Sequence, residues 1–452
     1  MTTTDPRPGA SAGPTSRNPN SRTPNNRQST QGTNARKKKS RASKAPRSAG
    51  NGGSGPIGRL QNWLDRPMTS FHLIVAIFLL LLGIGLVMVL SSSSVTSYRG
   101  DARNSFAAFQ RQAIFAVIGF IGFLFAARLP IKVIRAWTTT FMVISLGLLV
   151  AVLVPGIGSN INGARSWIGI GNTFTIQPAE FAKLALLLWA AHVLAARRSS
   201  LGSLRQLLIP IVPVALLMAA LIYLQPDLGT LVTLAIVLAA VMWFAGAPLW
   251  LFLTTSAFGL AAMAYMATSA AYRLKRVLAL FDPEKFPEAT YQLRQGLYGM
   301  GRGGLFGVGL GQSRAKWSWL PYADSDFIFA IIGEELGLIG AAVVILLFAL
   351  LAYTGLRIAR RNVDPFIKIA AGAATVWLVG QAAINIGYVV GALPTTGLTL
   401  PLISSGGSSL IVSMTVFGLL ANFARREPPA ATALHANGPG RFSAFLGIGT
   451  RG

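Results

Sequence analysis

Asp326 stands immediately before the apolar run Phe327-Ile328-Phe329-Ala330-Ile331-Ile332. A carboxylate at the mouth of such a helix, walled by aromatic rings, has a raised pKa and can act as a base. The same position suits a helix N-cap, a role that Ser325 could share. Glu334 and Glu335 lie deeper in the same run. At about 1.5 Å and 100° per residue, Glu334 falls about 12 Å below Asp326 and about 80° around the helix, with Glu335 opposite. The two then cannot line one groove. Charged groups inside an apolar span are costly and face the bundle interior or a cavity. Glu334 is therefore a candidate for lining the Asp326 cavity, and Glu335 for a structural partner. Gln177-Pro178-Ala179-Glu180-Phe181-Ala182-Lys183 opens another apolar run. Pro and Glu suit a first helical turn, and Glu180 can pair with Lys183 at i,i+3.

The polar loop 269–326 holds eight basic and five acidic residues. Arg273, Lys275, Arg276 and Lys316 could hold phosphate or snorkel to lipid headgroups. A cationic loop ending in a carboxylate at a helix mouth points to an anionic substrate. Gly303-Gly304-Leu305-Phe306-Gly307-Val308-Gly309-Leu310-Gly311 reads as a flexible, membrane-proximal turn. No strand–turn–helix unit surrounds it, so it is not a dinucleotide fingerprint. Thr395-Thr396-Gly397 and Ser404-Ser405-Gly406-Gly407-Ser408-Ser409 flank Pro401. Small polar residues there allow close helix approach or expose backbone around a ligand. His72, His192 and His435 are scattered, which argues against a histidine metal site. No nucleophile elbow or P-loop is present, and no cysteine is available for a disulfide.

Positioning these residues requires a membrane. Hydrophobic residues make up 52% of the chain and charged ones 12%. Apolar stretches long enough to cross a bilayer recur from residue 71 to residue 424. The expected fold is an all-α polytopic membrane protein of about ten spans: 71–90, 112–127, 138–154, 179–196, 207–224, 228–245, 248–268, 327–353, 366–392 and 404–424. The weakest division is at Gln225-Pro226-Asp227. With ten spans and an inner N-terminus, Arg128, Lys132, Arg135, Arg197, Arg198, Arg205, Arg357, Arg360, Arg361, Lys368, Arg425 and Arg426 all fall inside, as the positive-inside pattern requires. Both termini are then cytoplasmic, and 269–326 is a large outer loop between spans seven and eight. In the outer loop 155–178, Arg165 beside Trp167 suits a short segment in the headgroup layer.

The formal charge of +26 is not a nucleic-acid signature. Residues 1–66 carry 13 Lys/Arg and two acids in a Ser/Asn/Pro/Gly-rich tail, expected to be disordered and basic. Its run Arg36 to Arg41 suits anionic inner-leaflet lipid, and no nucleic-acid reading module accompanies it. The domain plan is thus a tail 1–66, a membrane domain 67–426, and a cytoplasmic tail 427–452.

Together these motifs resemble the SEDS family (shape, elongation, division and sporulation), its cell-division branch more than its elongation branch. The resemblance covers about 70–425. It rests on Asn162-Gly163-Ala164-Arg165 with Trp167, QPAEFAK at 177–183, QPDLGT at 225–230, the glycine turn, DFIFAIIGEELG at 326–337, and LPTTGLTLPLIS at 393–404 with the following GGSS. The branch rests on Leu90-Ser91-Ser92-Ser93-Ser94, Arg111-Gln112 and the long basic tail. Family members often carry His where this chain has Asp324, and Tyr where it has Ser405.

The resemblance implies polymerisation of peptidoglycan glycan strands from lipid II, with Asp326 as the catalytic carboxylate and inversion at the donor sugar. Arg273, Arg276 or Lys316 would steady the departing pyrophosphate. A divalent cation, Mg2+ or Mn2+, is left open. Arg165, Trp167, Glu180, Lys183, Glu334 and Ser408 are further candidate substrate-binding residues. The implied partners are lipid II, membrane lipid, a class B penicillin-binding protein and other divisome proteins, with spans eight and nine as docking candidates. A lipid II flippase and a non-catalytic divisome scaffold are the alternatives.

Overall fold

The structure, a computed structural model, describes residues 66–99, 104–161, 164–170, 174–197, 204–268, 285–317 and 320–437. All of these lie in one compact unit. Arg273, Lys275, Arg276, residues 1–65 and residues 438–452 lie outside the described residues.

In chain order the helices are α1 Thr69–Arg99, α2 Ala107–Arg128, α3 Ile131–Ala151, α4 Pro178–Ala196, α5 Leu204–Leu208, α6 Val212–Tyr223, α7 Leu228–Ala245, α8 Leu249–Thr268, α9 Pro287–Gly303, α10 Ile328–Arg361, α11 Pro365–Val389, α12 Gly407–Ala424 and α13 Pro428–Asn437. Among the described residues, eight of these are long and apolar enough to cross a membrane, and α6 and α8 are shorter apolar helices. The eight long helices overlap eight of the ten expected spans, and the shorter α6 and α8 lie within the other two. Gln225-Pro226-Asp227 does break the chain: Asp227 caps α7, accepting from the amide of Thr230 at 3.0 Å. That bond satisfies one of the orphan donors of a helix start.

Three differences from the sequence reading matter. The fold is not purely helical, because β1 Gly158–Ile161, β2 Ala164–Ile170 and β3 Phe174–Ile176 form an antiparallel sheet in the order β1-β2-β3. The polar loop 269–326 contains α9, whose apolar side packs on α10. Finally, residues 428–437 continue as α13, with Glu427 buried ahead of it and 4.0 Å from Arg361.

The most buried helices are α12, α11 and α4. α12 runs along α2, while α11 packs between α10, α7 and α4. Phe78 of α1 stacks on Phe123 of α2 at 4.3 Å and reaches Phe417 of α12 at 5.7 Å. Such offset ring pairs add about 1 kcal/mol to the area they bury. Asn422 of α12 donates to the carbonyls of Ala126 (2.8 Å) and Leu129 (2.7 Å). It thereby satisfies acceptors that the end of α2 leaves unpaired. At this end Arg135 also pairs with Asp364, and Arg425 donates to the carbonyl of Ala127 at 2.5 Å. The helix starts of α4, α7, α10 and α12 gather at the opposite end, the mouth.

Candidate active site

Asp326 is the residue before Phe327, which is buried and precedes the first helical position of α10. Asp326 itself is half-buried. Burial raises its pKa to about 6, with the carboxylates of Asp324 and then Asp227 adding to the effect. Among the described residues no ion pair involves Asp326. Such a group is ionised at neutral pH and still basic enough to accept a proton.

The extended segment between α11 and α12 walls this carboxylate. Gly397 takes φ 71°, and a Cβ built there would sit 3.6 Å from Oδ2 of Asp326. That backbone is strained for any residue with a side chain. The segment is tied down along its length. Gln381 donates to the Thr399 carbonyl at 2.9 Å and accepts from the Trp377 indole at 3.0 Å. Ser404 Oγ donates to the Ser325 carbonyl at 2.7 Å. Ser405 donates twice to Asp324, from its amide to the carbonyl (2.9 Å) and from its hydroxyl to Oδ2 (2.9 Å). Asp324 and Ser405 therefore touch each other through both backbone and side chain.

Ser408 and Gln177 join α12 to α4 at the mouth. Ser408 Oγ accepts the Gln177 amide at 2.9 Å, and Gln177 Nε2 donates to Asp227 at 2.8 Å. Ser408 is buried in this joint. Glu180 and Lys183 make the expected i,i+3 pair at 2.9 Å, and Lys183 Nζ lies 5.1 Å from the centre of the Trp377 ring. Both are buried, so this pair braces α4 against α11. Arg165 and Trp167 sit on β2, two residues apart and so on one face, with Trp167 opposite Ser159 of β1. β2 packs against α4 and β3 against α12, which places the sheet over the mouth.

Glu334, Glu335 and Lys316 do not join Asp326. Glu334 is fully buried and accepts from Arg302 (3.0 Å), Ser313 Oγ (2.5 Å) and the amides of Arg314 (3.1 Å) and Ala315 (3.3 Å). Glu335 accepts from Ser91 of α1 (2.6 Å), the Ser313 amide (3.2 Å) and Lys316 (3.3 Å). Lys316 also donates to the Gly311 carbonyl at 2.6 Å and is buried. The helical-wheel expectation that the two glutamates face apart is overturned, because Ser313 bridges both.

The reason is a break in α10 at Gly337 (φ 68°, ψ −166°). The glycine turn enters this break. Val308 and Gly309 donate to the carbonyls of Glu334 and Glu335, and the amides of Leu338 and Ile339 donate to Gly304 and Leu305. The turn expected to be flexible is held by four backbone bonds. Sequence reasoning missed this because the pattern of α10 is apolar on both sides of the break. Gly337 at the end of EELG was the signal available.

Among the described residues no group of three His, Asp or Glu side chains converges as a metal site.

A family model described as "Cell cycle protein" and covering FtsW, RodA and SpoVE matches residues 71–428. A probable peptidoglycan glycosyltransferase FtsW of Mycobacterium tuberculosis is 48% identical over 393 residues, which cover 86% of this chain and 75% of that protein. A chain of a peptidoglycan synthase complex, solved for the structural coordination of polymerization and crosslinking, aligns with TM-score 0.64 and 27% identity, covering 81% of this chain and 99% of the other. The rod shape determining protein RodA of Thermus thermophilus aligns with TM-score 0.57 and 27% identity, covering 81% and 99%.

Proposed function

We infer the function from the premise that this chain belongs to the FtsW/RodA/SpoVE family of cell-cycle proteins, the SEDS family its motifs resemble. It is a multi-pass protein of the cytoplasmic membrane and a peptidoglycan glycosyltransferase. In the finer reading it polymerises lipid II at the outer face of that membrane during division, and the mouth around Asp326 faces outward. The basic residues Arg128, Arg135, Arg361 and Arg425 at the opposite end support this orientation.

The observation that carries the mechanism is a half-buried Asp326 whose pKa is raised by burial and by the neighbouring carboxylates of Asp324 and Asp227. Asp326 takes the proton from the 4-hydroxyl of the acceptor sugar as that oxygen attacks the anomeric carbon of the donor. The bond from that carbon to the undecaprenyl pyrophosphate breaks, and the pyrophosphate leaves with the bonding pair. Attack opposite the leaving group turns an α-linked donor into a β-1,4 product, so one base suffices and no sugar–enzyme bond forms. The starts of α4, α7, α10 and α12 direct positive dipole ends towards the mouth, where they favour the departing anion. Arg165 of β2 and the loop residues Arg273 and Arg276 are the cations proposed to meet the pyrophosphate. Glu180, Lys183 and Ser408 support the mouth from within, while Glu334 and Lys316 hold residues 311–315 against α10.

A class B penicillin-binding protein is the proposed partner, in line with the complex whose polymerase chain this fold matches. The lipid-facing stripe Ile339, Val343 and Leu346 of α10 is open to it. α11 is mostly enclosed and offers less. The division septum is the proposed site of action.

The test is polymerisation of labelled lipid II by the purified chain, with and without its transpeptidase. Long glycan from wild type and none from Asp326→Asn is expected. Equal glycan from both would remove Asp326 from the chemistry.

A further inference from the structure

Two side chains on α11 grip the backbone of Asp326 without touching its carboxylate. Asn385 Nδ2 lies 3.0 Å from the Asp326 carbonyl and 2.6 Å from the Leu398 carbonyl. Tyr388 Oη lies 3.0 Å and 2.6 Å from the same two carbonyls, and 2.6 Å from Asn385 Nδ2. Both residues are fully buried. One amide NH2 and one hydroxyl thus serve two carbonyls from separate parts of the chain, with three hydrogens in total.

The orientation of the amide follows from its surroundings. Reversed, Asn385 would aim its own oxygen at two carbonyl oxygens. As placed, its Oδ1 is buried with no hydrogen-bond partner among the described residues. A buried acceptor left unpaired destabilises a fold, and here it accompanies donors aimed at the residue before the helix. Asn385→Leu would pack without that loss and would remove the amide's bonds to both carbonyls, leaving them to Tyr388. The ring of Tyr388 packs on Phe327 at 5.7 Å between centroids, so the residue after Asp326 is held by the same side chain.

We propose that Asn385 and Tyr388 are positioning residues of the glycosyl transfer: together they fix the peptide of Asp326 against that of Leu398, so that the carboxylate stays sheltered beside Gly397 and aimed at the acceptor hydroxyl. This rests on the reading of Asp326 as the base. The Asp326 peptide sets the direction of its Cα–Cβ bond, and a shift of about 1 Å at a reacting group can lower a rate about 100-fold. The carbonyl of Leu398 is adjacent to Gly397, whose backbone walls Oδ2. Releasing one carbonyl therefore moves both the base and its wall. The shelter is also what raises the pKa, since burial is the largest cause. A released carboxylate becomes more hydrated and a weaker base.

Tyr388→Phe is the decisive variant, because it removes one oxygen and keeps the ring on Phe327. The full-length chain is purified with the transpeptidase, its thermal unfolding is recorded, and polymerisation of labelled lipid II is followed against concentration and pH. The expected result is a folded protein whose kcat falls at least about 10-fold, whose KM for lipid II stays within about twofold, and whose acid limb moves to lower pH. Asn385→Leu should behave alike, and the two together should cost less than the product of the separate losses, because they hold the same two carbonyls. A folded Tyr388→Phe protein with wild-type kcat and an unmoved acid limb would overturn the proposal. So would a fall in kcat that leaves the acid limb in place, which is the pattern of general loosening. Asp326→Asn in the same assay separates the two readings. If it is inactive while Tyr388→Phe is normal, only the positioning role fails. If it is active, the base fails and the positioning role with it.

Discussion

Three carboxylates on or next to α10 live in opposite circumstances. Glu334 and Glu335 are enclosed, yet donors from α1, α9 and residues 313–316 meet their carboxylates. Asp326 is less enclosed, but the charges acting on it are Asp324 and Asp227, and both oppose its ionisation. A buried carboxylate surrounded by donors holds a fold together. One held near other acids gives up stability for reactivity. Burial alone would have ranked these residues in the wrong order for chemistry.

The comparison breaks most visibly in activity. Asp326→Asn should lower polymerisation by about 100-fold or more, the scale of a lost general base. Glu335→Gln should unfold the protein sooner and reduce activity only through the folded fraction. It leaves Lys316 buried with its charge unmatched, a loss of about 3–5 kcal/mol. Thermal unfolding in detergent, set beside activity per folded molecule, checks both.

The stability effects should also have opposite signs. The pKa of Asp326 rises from 3.8 in the unfolded chain to about 6 in the folded one. Between those values the folded protein keeps a proton that the unfolded chain releases, so stability falls as pH rises through this window. The full loss is present above about 6. At pH 7.5 Asp326→Asn should therefore unfold at higher temperature than wild type, by roughly 1–3 kcal/mol from a shift of about two units at 1.36 kcal/mol each. The advantage should vanish below pH 4. A variant less stable than wild type at pH 7.5 would place Asp326 with the glutamates.

The smallest effect concerns the neighbour. Wild-type polymerisation should decline as pH falls through about 6, where the base becomes protonated. Asp324→Asn removes one opposing charge and should move that midpoint down by less than a unit. A pH series on both proteins reads it, and an upward shift would contradict the repulsion.

Much of this was legible in the sequence. Length and hydropathy mark the eight long apolar helices, and Gln225-Pro226-Asp227 marks the interruption before α7. Asp326 at a helix mouth could be singled out from its neighbours alone. The i,i+3 pair of Glu180 and Lys183 could be read from spacing. The partners of Glu334 and Glu335 could not, because they depend on a break that hydropathy does not register. α9 was hidden inside a polar loop, although Pro287 at its first position and Gly303-Gly304 at its end are ordinary helix boundaries. The sheet at 158–176 was hidden by its glycines and short strands. Asn385 and Tyr388 were overlooked because they belong to an apolar span and carry no charge.

The break at Gly337 has one more consequence. An unbroken α10 would pair the amides of Leu338 and Ile339 with the carbonyls of Glu334 and Glu335, four residues back. These are the same four groups that the glycine turn now engages. The turn therefore acts as a guest strand slipped between two halves of a zip, and its four backbone bonds occupy the groups of two bonds the helix could make unaided. Its residence depends on the side chains fastened around it, with Ser313 at the centre and Ser91 reaching across from the first span. A hydroxyl on α1 thus helps decide whether the helix below Asp326 is one rod or two.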